Sequence, residues 1–122
     1  MKRIVAIAAG GAVALGLAAA GLASPAKKLP PLLKGEVGPA FTIEVKKAGA
    51  DLKTVKHGTF RIKVEDKSGA HNFHLIGPGI NKKTGIAFMG DKTWTITLKK
   101  GTYTYQCDPH AARGMKGTFK VT

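Results

Sequence analysis

The fold is indicated most clearly by residues 93–107, which read TWTITLKKGTYTYQC. Apolar and aromatic side chains occupy every second position on both sides of a central break, at Trp94, Ile96, Leu98, Tyr103 and Tyr105. Threonine fills most of the positions between them. A period of two is typical of strands that bury one face. Because Lys100-Gly101 is a turn signal, the stretch predicts two consecutive strands joined by a short turn.

The same alternation occurs outward from this stretch in both directions. The predicted inward-facing positions are Phe41, Ile43 and Val45, then Phe60, Ile62 and Val64, and finally Phe119 and Val121. Turn signals separate these runs at residues 66–69, 77–79 and 89–91. A chain of 122 residues allows one compact domain. We therefore expect a single-domain, all-β sandwich or barrel with Trp94 in its core.

The cysteine content is the first chemical clue. Cys107 is the single cysteine of the chain, so no intramolecular disulfide can form. It follows a predicted strand and begins the pattern Cys107-x2-His110-x4-Met115. Thiolate and thioether ligands select copper(I) and other soft ions, and imidazole suits copper in both oxidation states. Since a trigonal His2Cys set with a weak axial Met is the blue-copper arrangement, one more histidine is needed from elsewhere.

Two histidines in the segment 71–74 could provide the missing ligand. His71 and His74 are three positions apart, and on a strand an odd separation points side chains to opposite faces. Only one of them is expected to bind the metal, and the other is expected to be a bystander. His57 precedes Gly58 and is expected in a surface turn.

Residues 101–121, GTYTYQCDPHAARGMKGTFKV, resemble the C-terminal copper loop of plastocyanin-type cupredoxins. His71-Asn72 is similar to the His-Asn pair of that family. The resemblance covers residues 37–122 and implies a cupredoxin-like Greek-key β-sandwich that holds one type 1 copper ion. The implied ligands are His71, Cys107, His110 and Met115, with His74 as the alternative to His71. Asn72 would brace the loop that carries the cysteine, and Pro109 would stiffen that loop by fixing its backbone.

The resemblance implies a blue copper protein that shuttles single electrons between redox partners by Cu(I)/Cu(II) cycling. One alternative is a copper carrier or storage protein that uses the same site, and another is a copper-free structural sandwich. An enzyme is not expected, because no third group that would orient a Cys107–His110 nucleophilic pair is evident. The protein is expected to be a monomer.

The charge of the chain suggests the kind of partner. Its formal net charge is +13 at pH 7, which attracts anionic partners. The lysines are scattered without interleaved aromatic residues, so nucleic-acid binding is not expected. We expect acidic redox proteins to dock near the exposed edge of His110. The small or apolar residues expected around that edge are Pro78, Pro109, Ala111 and Ala112.

The N-terminal part of the chain predicts export. Lys2 and Arg3 precede an apolar run over residues 4–22, and small residues follow. This is the pattern of a signal peptide over residues 1–23, with cleavage as late as Ala26, and an uncleaved membrane anchor is the alternative. Cleavage would lower the formal charge from +13 to +11 and place the protein in the periplasm or outside the cell. The proline-containing residues 24–36 are expected to be an irregular lead-in.

Overall fold

The computed structural model describes residues 27–122, so the predicted signal peptide lies outside the described residues. Within them the chain forms ten strands and one 3-10 helix over Asp108–Arg113. The strands are β1 (Leu32–Val37), β2 (Ile43–Lys47), β3 (Ala50–Asp51), β4 (Thr54–Val55), β5 (Gly58–Asp66), β6 (His74–Gly77), β7 (Ile80–Lys83), β8 (Gly90–Leu98), β9 (Gly101–Gln106) and β10 (Lys116–Val121). Over the same residues, no helix has the length and apolar character that a membrane crossing requires.

The ten strands are divided equally between two sheets. Sheet I has the order β3-β2-β1-β5-β8, and sheet II has the order β4-β10-β9-β6-β7. Strands β1 and β5 pair in parallel, as do β4 and β10, while the other pairs are antiparallel. The predicted all-β sandwich is confirmed. The two strands predicted from residues 93–107 are β8 and β9, and the turn between them carries the chain from one sheet to the other.

The core fills the space between the sheets with the alternating residues of both. Tyr103 and Phe119 of sheet II stack with their ring centroids 5.5 Å apart. Ile62 and Leu98 of sheet I are buried opposite them in the same cluster. Trp94, predicted to lie in the core, is partly buried and packs against its edge. The alternating pattern therefore identified the buried face of most strands.

The prediction of an irregular lead-in over residues 24–36 is wrong for residues 32–36. These residues belong to β1, which lies in the middle of sheet I between β2 and β5, with Leu33 and Val37 fully buried. The inward position between those two is Gly35, where an added Cβ would come within 2.9 Å of the Phe73 ring. Because the core is filled there by an aromatic ring from elsewhere, the alternation of apolar side chains in this strand is interrupted.

Phe41 also departs from its predicted place. It was expected to face inward on a strand, but β2 begins at Ile43 and the Phe41 side chain is 55% exposed. A tight turn holds this segment, since the N–H of Gly38 donates to Thr42 O at 2.9 Å and the N–H of Thr42 donates to Ala40 O at 2.8 Å. The turn directs Phe41 toward the end of the sandwich at which the predicted ligands lie.

Candidate metal centre

Three of the predicted ligand atoms converge on one point. The Nδ1 atoms of His71 and His110 lie 3.1 Å apart, and Cys107 Sγ lies 3.6 Å and 3.5 Å from them respectively. A point equidistant from the three atoms is about 2 Å from each, close to the length of a metal–imidazole bond. Two imidazole nitrogens and one thiolate around such a point fit the trigonal set that copper takes in blue-copper sites.

Met115 completes this donor set with a thioether. Its side chain is 3% exposed, and it is the residue before β10. Its backbone is fixed on both sides, because its N–H donates to His110 O at 3.3 Å and its carbonyl accepts from Cys107 N–H at 3.1 Å. His71, Cys107, His110 and Met115 thus form a type 1 copper site, in which the methionine would supply a weak thioether donor.

The loop between β9 and β10 carries three of the four ligands, Cys107, His110 and Met115. Cys107 directly follows β9, and the 3-10 helix begins one residue later with Pro109 in its first turn, where no backbone N–H is needed. The N–H of His110 donates to Cys107 O at 3.0 Å. Gly114 ends the helix at φ 93°, a left-handed conformation that favours glycine and turns the chain back toward Met115. Pro109 lies in the first turn of this helix, and its stiffening role stays a prediction.

His71 lies in a connecting segment and not on a strand. It was expected on a strand, but β6 begins at His74, and residues 71–73 lie in the connection that precedes it. The connection is held without a strand ladder, since the Phe73 N–H donates to Thr84 Oγ1 at 2.9 Å. His71 is only 2% exposed. Strand alternation is therefore not what separates the two histidines.

Asn72, predicted to brace the cysteine loop, forms hydrogen bonds to that loop. Its Oδ1 accepts from the Asp108 N–H at 2.8 Å, and its Nδ2 donates to Asp108 Oδ2 at 3.0 Å. The same Nδ2 lies 3.2 Å from Thr84 O, to which it also donates. Asn72 therefore joins the segment that carries His71 to the residue after Cys107.

His74, the alternative ligand, lies outside the converging donors. Its Nδ1 is 2.8 Å from Asp108 Oδ1, and its Nε2 is 2.6 Å from Asn81 Oδ1. Both ring nitrogens therefore have oxygen partners. Burial alone would raise the pKa of Asp108, but hydrogen bonds from Gln106, Asn72 and His74 outweigh it and lower that pKa to about 2. His74 thus supports the cysteine loop through a carboxylate.

The carboxylate of Asp66 also lies near the site, and it is buried with fewer hydrogen-bond partners than that of Asp108. Asp66 is 3% exposed, and its Oδ1 accepts from the Ser68 N–H at 3.0 Å. Its Oδ2 has no hydrogen-bond partner among residues 27–122. Burial raises the pKa of Asp66, although the hydrogen bond from the Ser68 N–H acts in the opposite direction. The ionised form of this residue therefore opposes folding.

Phe41 is a site residue that the sequence reasoning missed. Its ring centroid lies 4.3 Å from that of His110 and 5.3 Å from that of His71. It therefore covers both imidazoles from the solvent side. The alternating pattern gave no signal of this role, because Phe41 continues the period of Ile43 and Val45 without belonging to their strand.

The predicted surroundings of His110 are correct in part. Pro109, Ala111 and Ala112 lie in the same 3-10 helix as His110, which is half-buried. The prediction is wrong for Pro78, which lies in the turn after β6 with its carbonyl bonded to the Tyr103 hydroxyl at 2.9 Å. Because β6 starts at the metal site and runs away from it, this turn lies at the opposite end of the sandwich.

Comparisons with known proteins agree with the site. The chain matches the model of the family "Copper binding proteins, plastocyanin/azurin family" over residues 40–122. Plastocyanin from Daucus carota is 53% identical over 32 residues, which are 25% of this chain and 33% of the plastocyanin. The chain therefore matches about a third of the length of that curated relative.

Two solved structures illustrate the likeness in fold. Rusticyanin from Thiobacillus ferrooxidans superposes with a TM-score of 0.54 at 24% identity, covering 75% of this chain and 76% of that one. Auracyanin from Roseiflexus castenholzii superposes with a TM-score of 0.54 at 22% identity, covering 79% and 99%. At such identities the likeness shows the fold alone. On the family match over residues 40–122, this chain belongs to the plastocyanin/azurin family of copper-binding proteins.

Proposed function

We propose that this protein carries single electrons between redox partners outside the cytoplasm. The observation that supports this most strongly is the convergence of His71, Cys107 and His110 on one point next to Met115. Copper bound there would supply a one-electron couple, Cu(II)/Cu(I). The chain would hold its donors in place for both oxidation states, since the end of one strand, the start of another and the Asn72 brace fix their backbones.

The exposure of the ligands suggests where electrons pass. Cys107 is fully buried and His71 is nearly so, whereas His110 is half-buried beside Ala111 and Ala112. The loop before β8 is at the same end of the sandwich, because Gly90 pairs with Asp66 at the end of β5. Two exposed apolar side chains of that loop are Ile86 and Met89. A rim of small and apolar residues suits the brief, small contacts of electron-transfer complexes.

We further propose that the partners are acidic and that the protein acts as an exported monomer. The net charge of +13 supports an acidic partner. The basic start and apolar run of the first 22 residues support export. The mass of the protein recovered from its native host tests whether this segment is removed on export. Cleavage after residue 23, cleavage after residue 26 and retention of the segment each give a different mass.

The optical spectrum of the copper-loaded protein tests the electron-carrier proposal. An intense thiolate-to-copper(II) band in the visible is expected, and it should disappear on one-electron reduction and return on oxidation. Its absence after loading would overturn the proposal. Transfer of copper(I) to a competing chelator during redox cycling would favour a copper carrier instead, whereas retention of the metal supports electron transfer.

A further inference from the structure

The two sheets differ sharply in charge. The strands of sheet I carry six basic side chains and six carboxylates, while the strands of sheet II carry four lysines and no carboxylate. Within residues 27–122, every lysine–carboxylate ion pair lies on sheet I or at its edge. The positive charge of the protein is therefore balanced on one sheet and left unpaired on the other.

Cross-strand pairing arranges the outer side chains of sheet II in rows. The row nearest the metal centre consists of Lys116, Gln106, His74 and Lys83. The next row consists of Thr118, Thr104, Ile76 and Asn81. The last row consists of Thr54, Lys120 and Thr102. We call this outer surface, with its exposed lysines 83, 116 and 120, the basic face.

Further cations border the basic face. They are Lys53 and Lys56 around β4, Lys99 and Lys100 in the turn before β9, and Arg113 in the 3-10 helix, and all are exposed. Lys53 is nearest in the chain to Asp51, which lies on β3 of sheet I. The carboxylate nearest in the chain to Arg113 and Lys116 is Asp108, whose two oxygens already accept from Gln106, His74 and Asn72. The carboxylate therefore cannot neutralise the face without giving up the bonds that hold the cysteine loop.

The basic face adjoins the metal centre directly. Lys116 follows Met115, and its cross-strand partner Gln106 precedes Cys107. A protein seated on this face would lie beside the cysteine and within reach of the rim at His110. Electrostatic steering is most useful where it delivers a partner to the redox centre itself.

The side chains of the basic face suit a protein better than a lipid surface. They are lysines, threonines and amides, with half-buried Ile76 as the one large apolar residue in the rows. Among residues 27–122, the exposed large apolar side chains, which an anionic bilayer would use for insertion, lie outside sheet II, at Leu29, Leu32, Phe41, Ile86 and Met89. Charged groups arranged to complement an oppositely charged partner speed its encounter with the protein.

We propose that the basic face, centred on Lys83, Lys116 and Lys120, is the docking surface for an acidic redox protein. This inference rests on the proposed electron-carrier function and specifies the side from which the partner approaches. In each encounter an acidic one-electron donor would lose one electron, which copper(II) held by the four ligands would take up to become copper(I). No atom is transferred, and an acidic acceptor takes the electron in the reverse step.

The test compares two triple variants with the same change in net charge. One is Lys83→Glu, Lys116→Glu and Lys120→Glu on the basic face. The matched control is Lys28→Glu, Lys47→Glu and Lys92→Glu, three exposed lysines outside sheet II that take part in no ion pair of the described residues. Reduction of the copper(II) protein by a reduced plant-type ferredoxin, used as an acidic one-electron probe, is followed at low salt by loss of the visible band.

The basic-face variant is expected to be reduced at least about tenfold more slowly than the native protein, with a weaker dependence on salt, and the control less than about threefold. Equal slowing of both variants would show that net charge alone acts and would overturn the proposal. If the native protein has the visible band and cycles, such a result refutes the docking surface alone. If the band or the cycling is absent, the electron-carrier function itself fails.

A second measurement needs no electron transfer. Amide shifts of the copper-free protein, titrated with oxidised ferredoxin, are expected to change at residues 74, 83, 104, 106, 116 and 118, and shifts confined to sheet I would contradict the proposal. Sedimentation with vesicles of phosphatidylserine and phosphatidylcholine is the other arm. Vesicle binding that is lost in the basic-face variant, together with an unchanged ferredoxin rate, would make the face a lipid surface and overturn the inference.

Discussion

Asn72 and Asp108 hold each other by two hydrogen bonds, from the Asp108 N–H to Asn72 Oδ1 at 2.8 Å and from Asn72 Nδ2 to Asp108 Oδ2 at 3.0 Å. One residue follows the ligand His71 and the other follows the ligand Cys107. This pair therefore fixes the two ligand-bearing segments, which are far apart in the chain, relative to each other.

Replacing Asn72 by Ala should loosen the metal centre and destabilise the fold. The change removes three hydrogen bonds and leaves a backbone N–H of the cysteine loop without its partner, so the free energy of unfolding should fall by about 2–3 kcal/mol. Denaturant unfolding of the copper-free protein measures this. Asn81→Ala is the control and should cost less than about 1 kcal/mol, because it removes one exposed hydrogen bond. Equal costs for both would contradict the brace.

The two histidines of the segment 71–74 should behave differently. His71→Ala removes one of the three converging donors, so the intense visible band of the copper(II) protein should be lost or greatly weakened. His74→Ala should keep the band and lower the free energy of unfolding by about 1 kcal/mol, because it removes hydrogen bonds that support Asp108. Absorption spectra of both loaded variants decide the matter. Loss of the band in His74→Ala with its retention in His71→Ala would reverse the assignment.

Asp108 should make the stability of the protein depend on acid pH. Its pKa is about 2 in the folded protein against an ordinary value of 3.8. Ionisation of Asp108 therefore stabilises the fold at pH values above that ordinary pKa. That contribution is lost as the pH falls from about 4 toward 2. Asp108→Asn should therefore cost about 1–2 kcal/mol at pH 7 and almost nothing near pH 2. Unfolding of the copper-free variants at several pH values measures the difference, with the exposed Asp91→Asn as control.

Phe41 should protect the imidazoles from water. Phe41→Ala removes the ring that lies 4.3 Å from the His110 ring, so water should reach the site and favour the more highly charged oxidised state. The reduction potential should fall, while the free energy of unfolding should change by no more than about 1 kcal/mol because the side chain is half exposed. Voltammetry measures the potential. Leu29→Ala, an exposed apolar residue before β1, should leave it unchanged.

Gly77→Ala should damage the fold without altering the site. A Cβ at this position would overlap the ring of Tyr103, which is fully buried and bonded to Pro78 and Lys99 at the far end of the sandwich. A loss of about 1–3 kcal/mol is expected from such overpacking. The visible band of the folded, loaded variant should match that of the native protein. Gly85→Ala meets no neighbouring atom and should be nearly neutral, and a large cost there would contradict this view of packing.

Much of the fold could be predicted because a strand with one buried face has alternating apolar and polar residues in its sequence. The alternation of Trp94, Ile96 and Leu98 depends on neighbouring positions only. The alternation is lost where a side chain from another segment fills the core. This occurs in β1, in which Gly35 makes room for the ring of Phe73. The central strand of sheet I was therefore missed, although its two neighbours were predicted.

The sequence by itself determined the chemistry of the site. Cys107, His110 and Met115 lie within nine residues of one another, so their donor types and spacing can be read directly and predict copper. Asn72 beside His71 similarly indicated the fourth ligand through the family resemblance.

Only the tertiary structure decided how that chemistry is surrounded. The bonds of His74 to Asp108 and Asn81, and the cover of Phe41 over two imidazoles, join residues distant in the chain. The exposed lysines of sheet II are likewise brought together from strands distant in the chain. The physical reason is that a donor atom is a property of one residue. Its exposure, its hydrogen-bond partners and the charge around it depend on which segments the packed sheets bring together.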